Sequence, residues 1–197
     1  MKKSIGLIAA IAGGLAVACG PSQAQERITY QQALQGLAQS AQTAQKIGID
    51  TDAVRQDIEA RIKADGSENA KTAPSVADAL SKLPNFIVQI QFNLDSDIIR
   101  PESWVTVGRI ADALQHPLVL GDRFLIVGNT DARGSREYNL ELSQKRARSV
   151  AFMLVNVFGV QPNRLATMGL GEEALFDKND PDAAVNRRVE LYNIGPL

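Results

Sequence analysis

Along the chain, the spacing of apolar residues changes character several times, and each change predicts a different kind of element. Behind Met1-Lys2-Lys3, an apolar run from Ile5 to Ala18 has the basic and hydrophobic layout of an export signal. It is too short to span a bilayer comfortably. From Ile28 to about Ala64 the chain is rich in Gln and Ala, with Leu34, Leu37, Ala41 and Ala44 at the three- and four-residue spacings of a helix face. Gly48-Ile49-Asp50-Thr51-Asp52 interrupts that pattern, and Asp50, Thr51 or Asp52 can cap a second helix running through Val54, Ile58 and Ile62. Because the stripe is narrow, a mostly solvated helical spacer is expected, with a helical hairpin as the alternative. Residues 65–84 carry Gly66, Ser67, Asn69, Thr72, Pro74 and Ser75 and few large apolar groups until Leu80, the composition of a flexible linker.

After Pro84 the pattern shifts to a period of two: Val88, Ile90 and Phe92 alternate with Gln89, Gln91 and Asn93, as in a strand with one buried face. Pro101-Glu102 opens a helix whose Trp104, Val107, Ala111 and Leu114 fall on one stripe, ending near His116-Pro117. Phe124-Leu125-Ile126-Val127 is continuously apolar, which suits a central strand covered on both faces. A longer helix from about Tyr138 to Phe158 buries Ala147, Val150, Ala151, Leu154 and Phe158 and stops at Gly159. Residues 164–168 read as a third strand and 188–192 as a fourth, with a short helix near 180–185 between them. The order β-α-β-α-β-β predicts an α/β (α+β) two-layer sandwich over residues 85–197, preceded by a helical segment over 19–64.

Charge and cysteine usage narrow the setting. The formal net charge is −1 and becomes more negative once Lys2 and Lys3 leave with the leader, so no overall field attracts nucleic acid. Cys19, the one cysteine, follows Leu15-Ala16-Val17-Ala18 and resembles the lipidated cysteine of a bacterial lipobox, giving a leader of 1–18. Ser22-Gln23-Ala24 offers the small residues of an ordinary signal-peptidase site, giving a leader of 1–24 that discards Cys19. Either cleavage predicts a periplasmic protein. Lipidation adds attachment to the outer membrane, because Gly20 stands where an inner-membrane retention signal carries Asp.

The densest chemistry lies in Gly128-Asn129-Thr130-Asp131-Ala132-Arg133-Gly134-Ser135, in Tyr138-Asn139-Leu140-Glu141-Leu142-Ser143-Gln144-Lys145-Arg146-Ala147, and in Asn186-Arg187-Arg188-Val189. These stretches, with Phe92-Asn93-Leu94-Asp95-Ser96 and the Pro101-Glu102 helix start, closely resemble the OmpA-like peptidoglycan-binding family over roughly Ile87 to Ile194. Asn129 departs from it, standing where the family usually has histidine, a change expected to touch local hydrogen bonding more than binding. The resemblance implies a non-catalytic domain whose Asp131 and Arg146 hold the free end of diaminopimelate in the peptide stems of the cell wall, with Thr130, Asn139 and Arg187 as further contacts. It also implies that the protein tethers the outer membrane, or an envelope assembly, to that wall. A structural subunit whose partner binds the N-terminal helices is the alternative.

The residue types suit that task. The free end of diaminopimelate is a zwitterion, so its ammonium needs an anion and its carboxylate a planar, permanently charged fork. At about 100° per residue Arg146 lies on the flank of the stripe centred near Ala147, and Asn139, about 10.5 Å back along the axis, shares that flank. Asp131 beside Gly134 can equally shape a turn or cap the helix, and Asn139 can equally be a helix-start hydrogen bonder. Of the neighbours Arg187 and Arg188, strand alternation sends one to the groove, for which Arg187 is favoured, and the other to solvent or a core-edge carboxylate.

Other chemistry finds little support. His116, the one histidine, sits at a helix end, and no nucleophile-elbow pattern accompanies it. Residues 177–182 fail the calcium-loop pattern at Pro181 and Asp182, and Gly169-Leu170-Gly171-Glu172 lacks the Lys-Ser/Thr of a phosphate loop. No metal, cofactor or enzymatic reaction is expected.

Overall fold

A computed structural model describes residues 29–43, 50–63, 80 and 85–197. The leader, Cys19 and, apart from Leu80, the expected linker lie outside the described residues. Among the described residues the α-helices and strands follow in the order α1 Tyr30–Thr43, α2 Thr51–Lys63, β1 Asn85–Val88, α3 Trp104–Leu114, β2 Asp122–Asn129, α4 Arg136–Asn156, β3 Leu165–Gly171 and β4 Val189–Pro196. From β1 onward this is the β-α-β-α-β-β order expected from the hydrophobic pattern. The four strands form one sheet in the order β1-β4-β2-β3; β4 runs antiparallel to both its neighbours and β2 parallel to β3.

Strand β2 is covered on both faces, as its apolar run predicts. Phe124 and Ile126 face a core built by Val107, Ile110 and Leu114 of α3 and Ala147, Val150 and Leu154 of α4. Leu125 and Val127 face the other way, toward Met168, Leu170, Tyr192 and Ile194. The inward alternation of Val88 and Ile90 persists past the end of the β1 ladder, and Phe92 then bridges Ile99 to close the loop between them.

Two expectations change. Trp104 is half exposed instead of lying on the buried stripe, and Ile110 takes the inward place. The cause is where the stripe is centred: Pro101–Ser103 forms a 3-10 turn, the α-helix starts at Trp104, and its buried face centres on Ile110 and Leu114, so at about 100° per residue Trp104 falls on the flank. The indole lies back over the preceding loop, its Nε1 donating to Ile99 O at 3.4 Å. The N-terminal helices are also not free in solvent. Ala33 and Leu37 of α1 are fully buried in the α3/α4-side core, and Ile58 and Ile62 of α2, with Leu80, close the opposite sheet face. Asp50 caps α2, its Oδ1 accepting from the backbone N of Asp52 and Ala53 at 3.0 Å each.

Helix α4 sits unusually close to the sheet, and this positions the site. A Cβ on Gly128 or Gly169 would fall inside van der Waals contact with the backbone of Ser143 and Gln144, so only glycine permits the approach. In return the edge strand β3 is satisfied from the helix: Gly169 N donates to Gln144 Oε1 at 2.8 Å and Gly171 N to Ser143 Oγ at 2.9 Å. Side chains of α4 thus occupy hydrogen-bonding positions that another strand would otherwise claim.

Candidate functional site

The site forms where the ends of β2 and β4 meet the start of α4. Strand β2 ends at Asn129, and Thr130 and Asp131 follow directly, with Thr130 N donating to Gly171 O at 2.9 Å and Ala132 N to Pro181 O at 3.1 Å. Helix α4 begins two residues earlier than its periodicity suggests, because Ser135 is the N-cap, its Oγ accepting from Tyr138 N at 3.2 Å. Asp131 is therefore not the cap and is left for other work. Asn139, almost fully buried, ties the loop to the helix: its Nδ2 lies 3.2 Å from Asp131 O, 3.1 Å from Arg133 O and 2.6 Å from Glu172 Oε2. Of the two roles open to Asn139, its amide nitrogen takes the structural one.

Asp131 is buried, and its Oδ2 accepts from Arg133 Nη2 and Arg187 Nη1 at 2.6 Å each. Burial alone would raise its pKa, but the hydrogen bonds from Arg133 and Arg187, with the charge of Arg133, outweigh it and hold the carboxyl below its ordinary value. Its Oδ1 keeps only a long contact, 3.4 Å, from Arg133 N. An acceptor is thus open beside two cations.

Arg146, also buried, reaches the same cleft from the second turn pair of α4. It stacks over the Phe92 ring at 5.0 Å, and its Nε donates to Ser96 O at 3.1 Å. Burial lowers its pKa, with the charge of Arg187 adding to that and Tyr138, Asp131 and Asp95 opposing. A guanidinium remains charged throughout the accessible pH range. No carboxylate lies within ion-pair distance of it among the described residues, so its Nη edge is available to an incoming anion.

All five residues anticipated from the sequence, Thr130, Asp131, Asn139, Arg146 and Arg187, line one cleft of about 490 Å³. The hydroxyl of Thr130 is nearly inaccessible and has no hydrogen-bond partner among the described residues. Arg188 turns the other way and pairs with the buried Glu190 at 2.5 Å; both arginines lie between a 3-10 turn and the start of β4. Asn129 belongs to that outer network, its Nδ2 lying 3.5 Å from Glu190 Oε1, so the departure from histidine falls outside the cleft.

Three contributors escaped the sequence reading. Arg133 is as near a cation to Asp131 as Arg187, at 2.6 Å, and its place two residues on, where an aspartate turn closes, was the available signal. Asn186, fully buried, donates to the carbonyls of Asp177, Asp180 and Pro181 at 3.0–3.2 Å and so fixes the loop ahead of Arg187. Arg136 grips Glu173 through two bonds of 2.9 Å, bracing the start of α4 against the end of β3. Neither of the last two lines the cleft. Among the described residues no cluster of His, Cys, Asp and Glu could hold a metal ion, and no helix is long and apolar enough to cross a membrane.

A depressed carboxylate pKa has a direct consequence for pH. The ionised form of Asp131, and the stability its pairing contributes, is fully present above the ordinary aspartate value of about 3.9 and is lost only as pH falls through the lower folded-state value. A side-chain carboxyl NMR titration should place the Asp131 midpoint below that of a model aspartate; a midpoint at or above it contradicts the pairing with Arg133 and Arg187.

Residues 91–188 match the model of the OmpA family. The peptidoglycan-associated lipoprotein of Pseudomonas putida is 39% identical over 107 residues, covering 53% of this chain and 62% of that protein. Outer membrane protein A of Bordetella avium is 33% identical over 127 residues, covering 64% of this chain and 61% of that protein. The chain therefore spans about three fifths of the length of these two relatives. Among solved structures, the peptidoglycan-associated lipoprotein from Burkholderia pseudomallei is 34% identical with a TM-score of 0.45, covering 53% of this chain and 87% of that one.

Proposed function

The chain belongs to the OmpA family through residues 91–188, and on that premise we propose that its domain binds peptidoglycan peptide stems without covalent chemistry, holding the free end of diaminopimelate. The observation that carries this reading is the convergence of the Asp131 carboxylate and the Arg146 guanidinium on one cleft. The two charges answer the two ends of a zwitterion: Oδ1 of Asp131 receives the ammonium, and the Nη edge of Arg146 takes the carboxylate in bidentate fashion. Thr130 stands beside them in the cleft wall. Nothing in this arrangement breaks a bond. Grip, not turnover, is its product.

The protein then works as a tether, in which the domain holds the wall and the N-terminus faces the rest of the envelope. Cys19 is its lipid attachment in the outer membrane, and the protein resides in the periplasm. The name peptidoglycan-associated lipoprotein, borne by the relative in Pseudomonas putida, supports both halves of that description.

The test is co-sedimentation of the purified protein with peptidoglycan sacculi, with soluble diaminopimelate-containing stem peptide as competitor. Pelleting that the stem peptide reverses is expected. Failure to pellet, or release of soluble muropeptides from the sacculi, would replace the tether with a different activity. Mass spectrometry of the mature N-terminus decides whether Cys19 carries lipid.

A further inference from the structure

The cleft holding Asp131 and Arg146 is one of two that meet. A second, of about 350 Å³, opens beside Gln89 and Gln91 and shares Phe92, Arg100, Arg146 and Arg187 with the first. Shared walls make them two lobes of one groove. Their charge is unequal to the task assigned so far. The first lobe carries four guanidiniums, on Arg100, Arg133, Arg146 and Arg187, against the two carboxylates of Asp95 and Asp131. The second carries three guanidiniums and no carboxylate. A zwitterionic end uses one charge of each sign and leaves this positive excess unanswered.

Arg100 is the cation without a settled occupation. Arg133 and Arg187 both bond Asp131, and Arg146 is reserved by the zwitterion. Among the described residues Arg100 has only Glu102, at 3.4 Å between two half-exposed side chains, and an exposed pair of that kind holds its partner weakly. Its backbone, by contrast, is fixed: Arg100 N donates to Gln91 O at 2.9 Å, directly after the Phe92–Ile99 bridge. An ordered main chain thus carries an under-used guanidinium to the junction of the two lobes.

We propose that the second lobe takes a further carboxylate of the same peptide stem, with Arg100 as its specific cation. The proposal rests on the stem-binding reading and extends it from one amino acid to a longer, net anionic ligand. Two stem carboxylates have the right chemistry: the α-carboxylate of the γ-linked glutamate that precedes diaminopimelate, and the terminal carboxylate of a stem that ends there. Binding an additional anion in a groove with surplus positive charge also predicts affinity that falls with salt more steeply than one zwitterion contact requires.

Calorimetric titration of the full chain with three synthetic stems tests this: alanyl-γ-glutamyl-diaminopimelate as the free acid, the same stem with the glutamate α-carboxylate amidated, and the same stem extended by D-alanine. One modified stem is expected to bind about fivefold to tenfold more weakly than the free acid; loss on amidation assigns the glutamate, and loss on extension assigns the terminus. Arg100→Gln is expected to lower affinity for the free acid by the same factor and to erase its advantage over that modified stem. If Arg100→Gln weakens all three stems equally or none of them, the second carboxylate site is overturned while stem binding stands. If the native chain binds no stem, both readings fall together.

Discussion

Replacing Arg146 with alanine is expected to lower affinity for diaminopimelate stems by about 100-fold or more, the value of two charge-assisted hydrogen bonds lost from a water-poor site. The geometry explains why the loss should be so large. Arg146 is buried against Phe92, and among the described residues only its Nε is engaged, so little of its hydrogen-bonding capacity is diverted before a ligand arrives. Arg146→Lys keeps the charge but not the planar fork, and should recover only part of the affinity. Asp131→Ala removes the opposite end of the grip and frees Arg133 and Arg187, so it should abolish binding as well. Calorimetry with a soluble stem and sacculus pelleting read all three variants. Retained affinity in both alanine variants would remove this cleft as the binding site.

A second large effect concerns folding and leaves the cleft untouched. Arg164 is fully buried, and its guanidinium donates to three backbone carbonyls: Leu114 O at 2.8 Å, Val119 O at 2.6 Å and Asp122 O at 2.9 Å. Those carbonyls belong to the last residue of α3, to the bend that follows it and to the first residue of β2. The side chain does for that bend what a ladder does elsewhere. Arg164→Met roughly preserves length while orphaning all three acceptors, at a cost of about 1–3 kcal/mol for each that stays buried. The total expected is about 3–5 kcal/mol after relaxation. Denaturant unfolding should show a much lower midpoint with an unchanged slope, while stem affinity per folded molecule stays at the native value. A loss below about 1 kcal/mol would mean that water replaces the guanidinium at little cost.

What the sequence revealed follows the strength of each local signal. The run Phe124–Val127 has one physical solution, a strand buried on both faces, and it forms one. Arg187 and Arg188 do part, one to the cleft and one to Glu190, although both lie just ahead of β4, where a 3-10 turn ends. The long helix was recognisable from Ala147, Val150 and Leu154, yet its true start was not, since Ser135 acts through a single cap bond that leaves no periodic trace. Trp104 misled because the buried face of its helix centres on Ile110 and Leu114, roughly 100° round the axis, so a large apolar side chain at the helix start sits on the flank. Arg164 was invisible for a different reason. Its partners are carbonyls 42, 45 and 50 residues away, and main-chain acceptors have no sequence signature.

The N-terminal helices show the same limit at a larger scale. A narrow stripe of Leu34 and Leu37 in a Gln- and Ala-rich stretch says that a helix has one apolar edge, but not where that edge will be spent. In the folded chain Ala33 and Leu37 join the core beneath α3, and Gly36 lies against the Phe86 ring. The sequence gives no measure of which distant surface matches such an edge.

That packing changes what a truncated protein would be. A fragment starting at residue 85 would keep α3 and α4 but lose α1 and α2, baring Phe86 on one side of the sheet and Leu125, Met168 and Tyr192 on the other. Such a piece would be inclined to self-associate through its raw apolar faces. A partner that pulled α1 or α2 away would meet the same surfaces, so capture of the N-terminal helices and cohesion of the wall-gripping domain draw on a single store of free energy.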